Sequence, residues 1–498
     1  MNKFHQNFHQ TAAQRNSLRI VQVSTADRAG GAEAVAWNLF QRYRKEGHHS
    51  RLLVGTKNTD DPDVVAFNHN SCRSRWTRFW TRTEQFLSSL PDNMRGRKKL
   101  EDLFLLIGQP RRWWDIQRGK EDFDFPESRR VLRENTQTAD LVHLHNLHGG
   151  YFDLRVLPEL CRDVPVILTQ HDAWLLSGHC AHSFECERWK TGCGDCPDLA
   201  IPPRIKRDAT AFNWHRKREI YAASQLYVAT PSRWLMNKVK ESILAPAIRE
   251  SKVIPYGVDL DVFQPGKKTR IRRELGFPEE TRILLFAANG IRTNPWKDFA
   301  TLKNALHRLG ECFFESPLVL IALGEEAPSE YWNGITILSV PHQTAPADVA
   351  RYYQAADLYV HTAKADTFPN TVLEALACGT PVVATAIGGI VEQVKSLRGI
   401  VSSDTDWKTH SPAEATGVLV PPGDAKCLAD VLHRLLGAEC SGTLAALSQN
   451  ASADARRRFD LQRQAADYLS WYREILKKRD SFDSKQHSRV ASPTFVSV

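Results

Sequence analysis

No stretch of this 498-residue sequence is apolar for anything near the roughly 20 residues that a helix needs to cross a bilayer. Residues 1–19 are polar and lack the apolar segment of a secretory signal. A helical membrane span is excluded, and the cytoplasm is the expected compartment. Cysteine is scarce, ten residues in the whole chain, which is far below the density of a disulfide-stapled fold. There is no internal repeat and little low-complexity sequence, so nothing points to a repeat array. Acidic residues are fewer than basic ones, 57 against 66, and the net charge is +9. That balance admits nucleic acid, an anionic membrane surface or phosphate-bearing substrates as partners. No nucleic-acid-binding motif accompanies it, so nucleic acid is not an expected partner.

The chain does have the composition of a globular protein, 42% hydrophobic and 25% charged, at a length that allows two or three domains. Short apolar runs alternate with helical patterns throughout, which signals parallel sheets with helices on both faces. Strands are predicted at 19–24, 51–54, 141–145, 164–169 and 226–230, then at 282–287, 318–323, 335–340, 358–361, 382–385 and 417–420. Two sets of strands predict an α/β chain of two Rossmann-like, doubly wound domains. The break falls in the turn-rich stretch from Pro255 to Pro265, giving domains 18–255 and 256–452. A helical stretch, 453–478, follows, and the polar residues 479–498 read as a disordered tail. Ligands of such sheets lie outside the carboxyl ends of the strands, so a cleft between the domains is the expected site.

Between Asp366 and Pro381 the chain reads Asp-Thr-Phe-Pro-Asn-Thr-Val-Leu-Glu-Ala-Leu-Ala-Cys-Gly-Thr-Pro. Pro369 suits a first helical turn, Asn370 to Cys378 a short helix, and Gly379 with Pro381 its end. The N–H groups from Thr367 through Phe368 and Asn370 to Thr371, at the positive helix end, suit a diphosphate. One turn inside, Glu374 can accept hydrogen bonds from ribose hydroxyls, and Asp366 on the preceding loop can accept them from a sugar on the far phosphate. The competing reading is a surface helix with Glu374 as an exposed charge. After the strand 282–287, Arg292 and Lys297 can neutralise that diphosphate and stabilise the charge growing on it as the sugar leaves.

Other features are less specific. Gly30 and Gly31 open a helix after the first strand, where glycine permits close approach of backbone to a ligand. His171 follows the strand 164–169, while His143, His145 and His148 form a trio read as structural or acceptor-side rather than metal-binding. Cys180, Cys186, Cys193 and Cys196 are close enough in sequence for a tetrahedral, structural zinc site, with free thiols or a redox pair as alternatives. Between Arg73 and Arg133, Trp76, Phe79, Trp80, Trp113 and Trp114 alternate with arginines, which suits an anionic membrane surface or a helical insertion with its aromatics inside.

The stretch from Asp366 to Glu374 resembles the acidic-x7-acidic element of glycosyltransferase family 4, retaining enzymes of the GT-B fold, except that Asp366 stands where the family usually has glutamate. Arg292 and Lys297 resemble the family's donor-phosphate pair, Gly30 and Gly31 its glycine loop, and His171 its histidine near the donor sugar. The cysteine cluster resembles insertions of the colanic-acid branch. The resemblance implies transfer of a sugar from a nucleotide-diphosphate donor to a hydroxyl of a glycan or lipid-linked glycan, in exopolysaccharide or cell-surface polysaccharide synthesis. It also implies that the terminal helix returns to the first domain. With no carboxylate standing out as a nucleophile, front-face substitution is the expected mechanism, with Asp366 and His171 holding the sugar and no catalytic cofactor. A nucleotide-sugar epimerase and a non-enzymatic membrane-docked binder remain the alternatives.

Overall fold

The computed structural model describes residues 17–28, 30–88, 96–129, 139–292, 294, 296–311, 317–401 and 405–490. The chain forms two compact units, the first comprising Met1–Thr230, Leu235–Ile254 and Ala465–Val498, the second Pro231–Trp234 and Pro255–Gln464.

The first unit is built on seven parallel strands: β1 (Arg19–Ala26), β2 (His49–Thr56), β3 (Val64–Ala66), β4 (Leu141–Leu144), β5 (Val166–Thr169), β6 (Leu226–Thr230) and β7 (Ile248–Val253). Their order is β3-β2-β1-β4-β5-β6-β7. Every residue of β4, β5 and β6 is buried, as expected for strands covered on both faces. Helix α1 (Gly31–Lys45) buries Val35, Ala36, Leu39, Phe40 and Tyr43, a single stripe at helical spacing. Three further helices, α2 (Arg75–Ser88), α3 (Arg97–Gly108) and α4 (Pro110–Gln117), form an insertion between β3 and β4. Within the basic aromatic segment, Trp76, Phe79 and Trp114 are exposed. Trp80 packs between Phe79 and Phe104, and Trp113 against Trp114. The segment is therefore a helical insertion only some of whose aromatics are inside, and its end at 130–133 lies outside the described residues.

The second unit has nine strands: β8 (Arg282–Ala287), β9 (Leu318–Leu323), β10 (Glu330–Trp332), β11 (Ile335–Val340), β12 (Leu358–His361), β13 (Val382–Thr385), β14 (Ser396–Leu397), β15 (Thr409–His410) and β16 (Gly417–Val420). They run in the order β10-β11-β9-β8-β12-β13-β16-β14-β15, and only β10, at one edge, is antiparallel to its neighbour. The strands absent from the sequence reading, β3, β7, β10, β14 and β15, are short or half-exposed and lie at or near sheet edges, where no continuous apolar run marks them. In each sheet the order reverses once, between β1 and β4 and between β8 and β12. Connections leave the two strands of such a pair in opposite directions, which opens a crevice at their carboxyl ends.

The terminal region departs from expectation. Instead of one helix over 453–478 there are two, Ser441–Arg458 and Leu461–Val490. They are separated because Asp460 starts the second helix, its carboxylate accepting the Gln462 N–H at 2.8 Å. Residues up to Gln464 stay with the second unit. From Ala465 the helix buries Tyr468, Leu469, Trp471, Tyr472, Ile475 and Leu476 in the first unit. Residues 481–490 contain neither glycine nor proline, and the helix continues through them to Val490; 491–498 lie outside the described residues.

Candidate active site

The carboxyl ends of β8 and β12 carry the residues singled out by their charge. Beyond β8 the chain turns through Asp298, which has φ 41° and caps the helix Phe299–Gly310 with its carboxylate. The Thr362 hydroxyl, just past β12, lies 3.2 Å from the carbonyl oxygens of both Lys297 and Asp298. This staples the two strand ends together. As a result Lys297 Nζ reaches Asp366 Oδ2 at 2.6 Å, although the residues are far apart in sequence. His361, the last residue of β12, completes the group, with Nε2 3.3 Å from the same oxygen and Nδ1 3.0 Å from the Tyr359 hydroxyl.

Burial works to raise the Asp366 pKa, but the Lys297 ammonium and His361 outweigh it and hold the carboxyl well below its ordinary range. Burial, reinforced by Lys297, lowers the His361 pKa, so its imidazole is neutral at pH 7. Arg292 takes a different course. Its backbone N–H donates to Glu325 Oε2 at 3.1 Å, and its guanidinium pairs with Glu330 and approaches Glu325 Oε1 at 3.7 Å. Lys297 and Arg292 thus engage different carboxylates, and a partly buried acid such as Asp366 requires a counter-charge.

Glu374 lies one turn into the helix Asn370–Ala377, whose start has no side-chain cap. Its Oε2 accepts the Tyr353 hydroxyl at 3.0 Å, and burial pushes its pKa up to about 7 against the partial opposition of that bond. Asn370 and Thr371 are partly exposed on the first turn, while Thr367 is buried. The Phe368 side chain is 3% exposed and packed edge-on against Tyr256 and Phe459. Its contribution is to anchor the loop. Gly388 and Gly389 press against that loop from the far side: a Cβ on either would stand 2.0 Å from the carbonyl oxygen of Asp366 or Thr367 respectively. Only glycine fits there. Tyr353, His361, Gly388 and Gly389 escaped the sequence reading. His361 had a signal, an imidazole at a strand's carboxyl end, and Gly388-Gly389 had one in its place after β13, whereas nothing near Tyr353 in sequence points to Glu374.

In the first unit, Gly30 and Gly31 open α1 and are exposed. Beside them, at the carboxyl ends of β4 and β5, the four histidines separate into distinct roles. His143 is tied to Thr169 at 2.7 Å and to Tyr472 of the terminal helix at 2.6 Å. His145 Nε2 lies 3.0 Å from Gln22 Oε1, and its Nδ1 lies 3.2 Å from His171 Nε2. Since an amide oxygen only accepts, His145 donates from Nε2 and accepts at Nδ1, and His171 therefore carries its proton on Nε2. Burial lowers the pKa of His143, His145 and His171, so all three are neutral. His148 pairs with Asp172 at 2.7 Å, and that carboxylate outweighs burial to raise its pKa. A buried pair absent from the sequence reading, Lys217 with Glu121 at 2.9 Å, braces this region, with the ammonium 3.9 Å from the Trp174 ring centroid.

Cys180, Cys186, Cys193 and Cys196 line one small cavity of about 20 Å³ together with His179. Burial raises the thiol pKa values of Cys180, Cys193 and Cys196, that of Cys193 to about 12. The Gly178 N–H donates to Cys193 Sγ at 3.3 Å, and Cys196 Sγ lies 3.4 Å from His179 Nε2. Among the described residues no three His, Cys, Asp or Glu side chains are arranged to hold a metal ion.

Two family models match the chain, one described as Glycosyltransferase Family 4 over residues 29–262 and one as Glycosyl transferases group 1 over residues 281–438. The D-inositol 3-phosphate glycosyltransferase of Xylanimonas cellulosilytica is 31% identical over 281 residues, 53% of this chain and 60% of that protein. The chain thus spans less than two thirds of that relative. WcaC of Escherichia coli K12, whose name refers to colanic acid biosynthesis and glycosyl transfer, is 25% identical over 402 residues, 78% of this chain and 88% of its own. The solved structure of Anabaena Alr3699/HepE in complex with UDP and glucose has a TM-score of 0.55 at 17% identity, covering 91% of this chain and 99% of that one. At that identity the likeness is one of fold.

Proposed function

The chain belongs to glycosyltransferase family 4, and on that premise we propose that it moves a sugar from a nucleoside-diphosphate donor to a hydroxyl of a glycan, with retention of configuration. The observation that carries this reading is the meeting of Lys297, Asp366 and His361 at the reversal point of the second sheet, beside an uncapped helix start that has Glu374 one turn inside. Glu374 accepts the ribose hydroxyls, and binding them draws its carboxyl into the ionised form. The helix start receives the diphosphate, which shares Lys297 with Asp366. Asp366, freed in part from that ammonium, accepts a hydroxyl of the donor sugar.

The bond from the anomeric carbon to the phosphate oxygen breaks while a bond to the acceptor oxygen forms on the same face. The acceptor's proton passes to the departing phosphate. Charge builds on that phosphate as the bond lengthens, and Lys297 with Arg292 stabilises it more in the transition state than before it. These cations do the electrostatic work of a divalent ion, so transfer proceeds without one. His171, fixed as the Nε2–H tautomer by His145 and Gln22, holds the sugar through its other face. WcaC's name refers to colanic acid biosynthesis, which supports a polysaccharide product, and the acceptor is a lipid-linked glycan at the cytoplasmic face of an anionic membrane.

The test is a panel of radiolabelled nucleotide-sugars, beginning with UDP-sugars because the Anabaena structure holds UDP, with label followed into a glycolipid fraction in the presence of EDTA. Transfer that is lost in Glu374→Gln supports the reading. Release of a new free nucleotide-sugar isomer without any acceptor would identify an epimerase instead.

A further inference from the structure

Six of the eleven large hydrophobic side chains left exposed among the described residues lie on the three-helix insertion α2–α4. Trp76, Phe79, Phe86 and Trp114 each keep more than half of their surface in solvent, and Leu100 and Leu103 more than two fifths. On α2 the exposed residues recur at intervals of three and seven, one side of a helix, while Trp80 turns inward to Phe104. Trp76 meets Trp80 at 5.7 Å and Phe79 meets it at 5.2 Å between ring centroids, so the outer rings rest on an inner aromatic layer that holds them in place.

The charges of the insertion divide into two groups. Inside, a cavity of about 660 Å³ is lined by Arg73, Arg112, Arg155 and Arg216, but these are already engaged by Asp124, Asp122, Asp153 and the Glu121 carbonyl. Outside, Arg75, Arg82, Lys98 and Lys99 are exposed and Arg78 is partly so. The acids of α3 are already paired, Glu101 with Arg97 and Asp102 with Lys206. Among the described side chains, positive charge on this outer side is therefore largely unopposed, and it flanks exposed tryptophan and phenylalanine.

We propose that the outer face of α2–α4 docks on an anionic lipid bilayer, with the aromatic side chains entering the headgroup region and the arginines and lysines facing lipid phosphates. Aromatics that are apolar at one end and polar at the other settle at such interfaces, and basic side chains beside them add salt-sensitive attraction. A soluble acidic protein would match the charge but would not call for so many exposed large rings. The inference deepens the lipid-linked acceptor proposed above and rests on it for its biological sense, while its physics is independent of catalysis.

The experiment is co-sedimentation of the full-length protein with phosphatidylcholine vesicles, with and without phosphatidylglycerol. Binding is expected only with the anionic lipid and falls roughly tenfold or more from low to high salt. The triple variant Trp76→Ser, Phe79→Ser, Phe86→Ser removes exposed groups, so its thermal midpoint stays at that of the parent while vesicle binding falls at least about tenfold. A second variant, Arg75→Gln, Arg78→Gln, Arg82→Gln, decides the matter if the first misfolds, and it loses the salt-sensitive part alone. Parent protein that stays in the supernatant at low salt, or a triple variant that pellets like the parent, overturns the proposal. So does a vesicle-free dimer that the same substitutions dissolve, which would make the face an interface between copies. Titration of UDP by calorimetry on the same variants is expected to be unchanged, so failure of docking and failure of the transferase reading are told apart.

Discussion

Glu374 ionises in surroundings that disfavour its charge, and this gives a test that separates function from folding. Its pKa in the folded chain stands at about 7 against an ordinary 4.5. A folded-state pKa above the unfolded one contributes stability that is fully present below pH 4.5 and is lost as pH rises through 7, on the order of 3 kcal/mol. Glu374→Gln is therefore expected to leave the ligand-free protein at least as stable as the parent at pH 8, with a melting temperature that varies less between pH 5 and 8. The same variant is expected to lose most of its UDP affinity by calorimetry, since an amide replaces only part of a carboxylate's acceptance of two hydroxyls. A large loss of stability with unchanged affinity would make Glu374 a structural residue. Asp366 behaves in the opposite sense. Its depressed pKa contributes stability that is present above the ordinary carboxylate range and is lost as pH falls below it. Lys297→Ala leaves that carboxylate without its partner and is expected to cost about 3 to 5 kcal/mol in denaturant unfolding. The double variant Lys297→Ala, Asp366→Asn should recover most of that stability while remaining without transferase activity. Stability unchanged in the single variant would show that the ion pair does not form in solution.

At the level of elements, the site depends on how closely the loop after β13 meets the loop that carries Asp366. Gly389 has φ outside the left-handed region, so alanine meets no backbone strain there, only the Thr367 carbonyl oxygen 2.0 Å from the new Cβ. Gly389→Ala is expected to cost about 1 to 3 kcal/mol by overpacking. Its effect on UDP affinity should exceed its effect on the thermal midpoint of the second unit, because the displaced segment is the start of the Glu374 helix. Equal affinity for UDP in this variant would mean that the loop does not position the donor. This contact is invisible in sequence, since Gly389 and Thr367 belong to segments brought together by the pairing of β12 with β13. The helix itself was legible, from Asn370 through an apolar stripe to Gly379, because its signals are local. The packing of the Phe368 side chain was not, since nothing local to the loop points to Tyr256 and Phe459.

For the whole molecule, the consequence is a first unit that is incomplete without the end of the chain. Tyr468, Trp471 and Tyr472 are fully buried there, and Tyr472 bonds both His143 and Tyr43. Truncation after Gln464 removes these side chains and leaves His143 without one of its partners. Losing several buried aromatics, each worth about 3 to 5 kcal/mol when cut to alanine, exceeds the net stability of an ordinary domain. The truncated chain is expected to lose the cooperative unfolding of its first unit and to aggregate, while residues 255–464, expressed alone, keep a single thermal transition that UDP raises. A truncated protein with two intact transitions would show that the helix only decorates the first unit.

Sequence alone determined the α/β class, the eleven inner strands and the helix of the acidic element, because each rests on periodicity or on neighbours a turn apart. Charge pairing was decided only in three dimensions. That Lys297 faces Asp366 while Arg292 faces Glu325 and Glu330, and that His145 stands between Gln22 and His171, both depend on segments distant in sequence. Likewise, the tryptophans of the insertion are alike in sequence, and it is the packing of α2 on α3 that turns Trp80 inward and leaves Trp76 in solvent. A local pattern fixes which residues share a face, whereas the identity of what covers that face is a property of the assembled sheet and its crossovers.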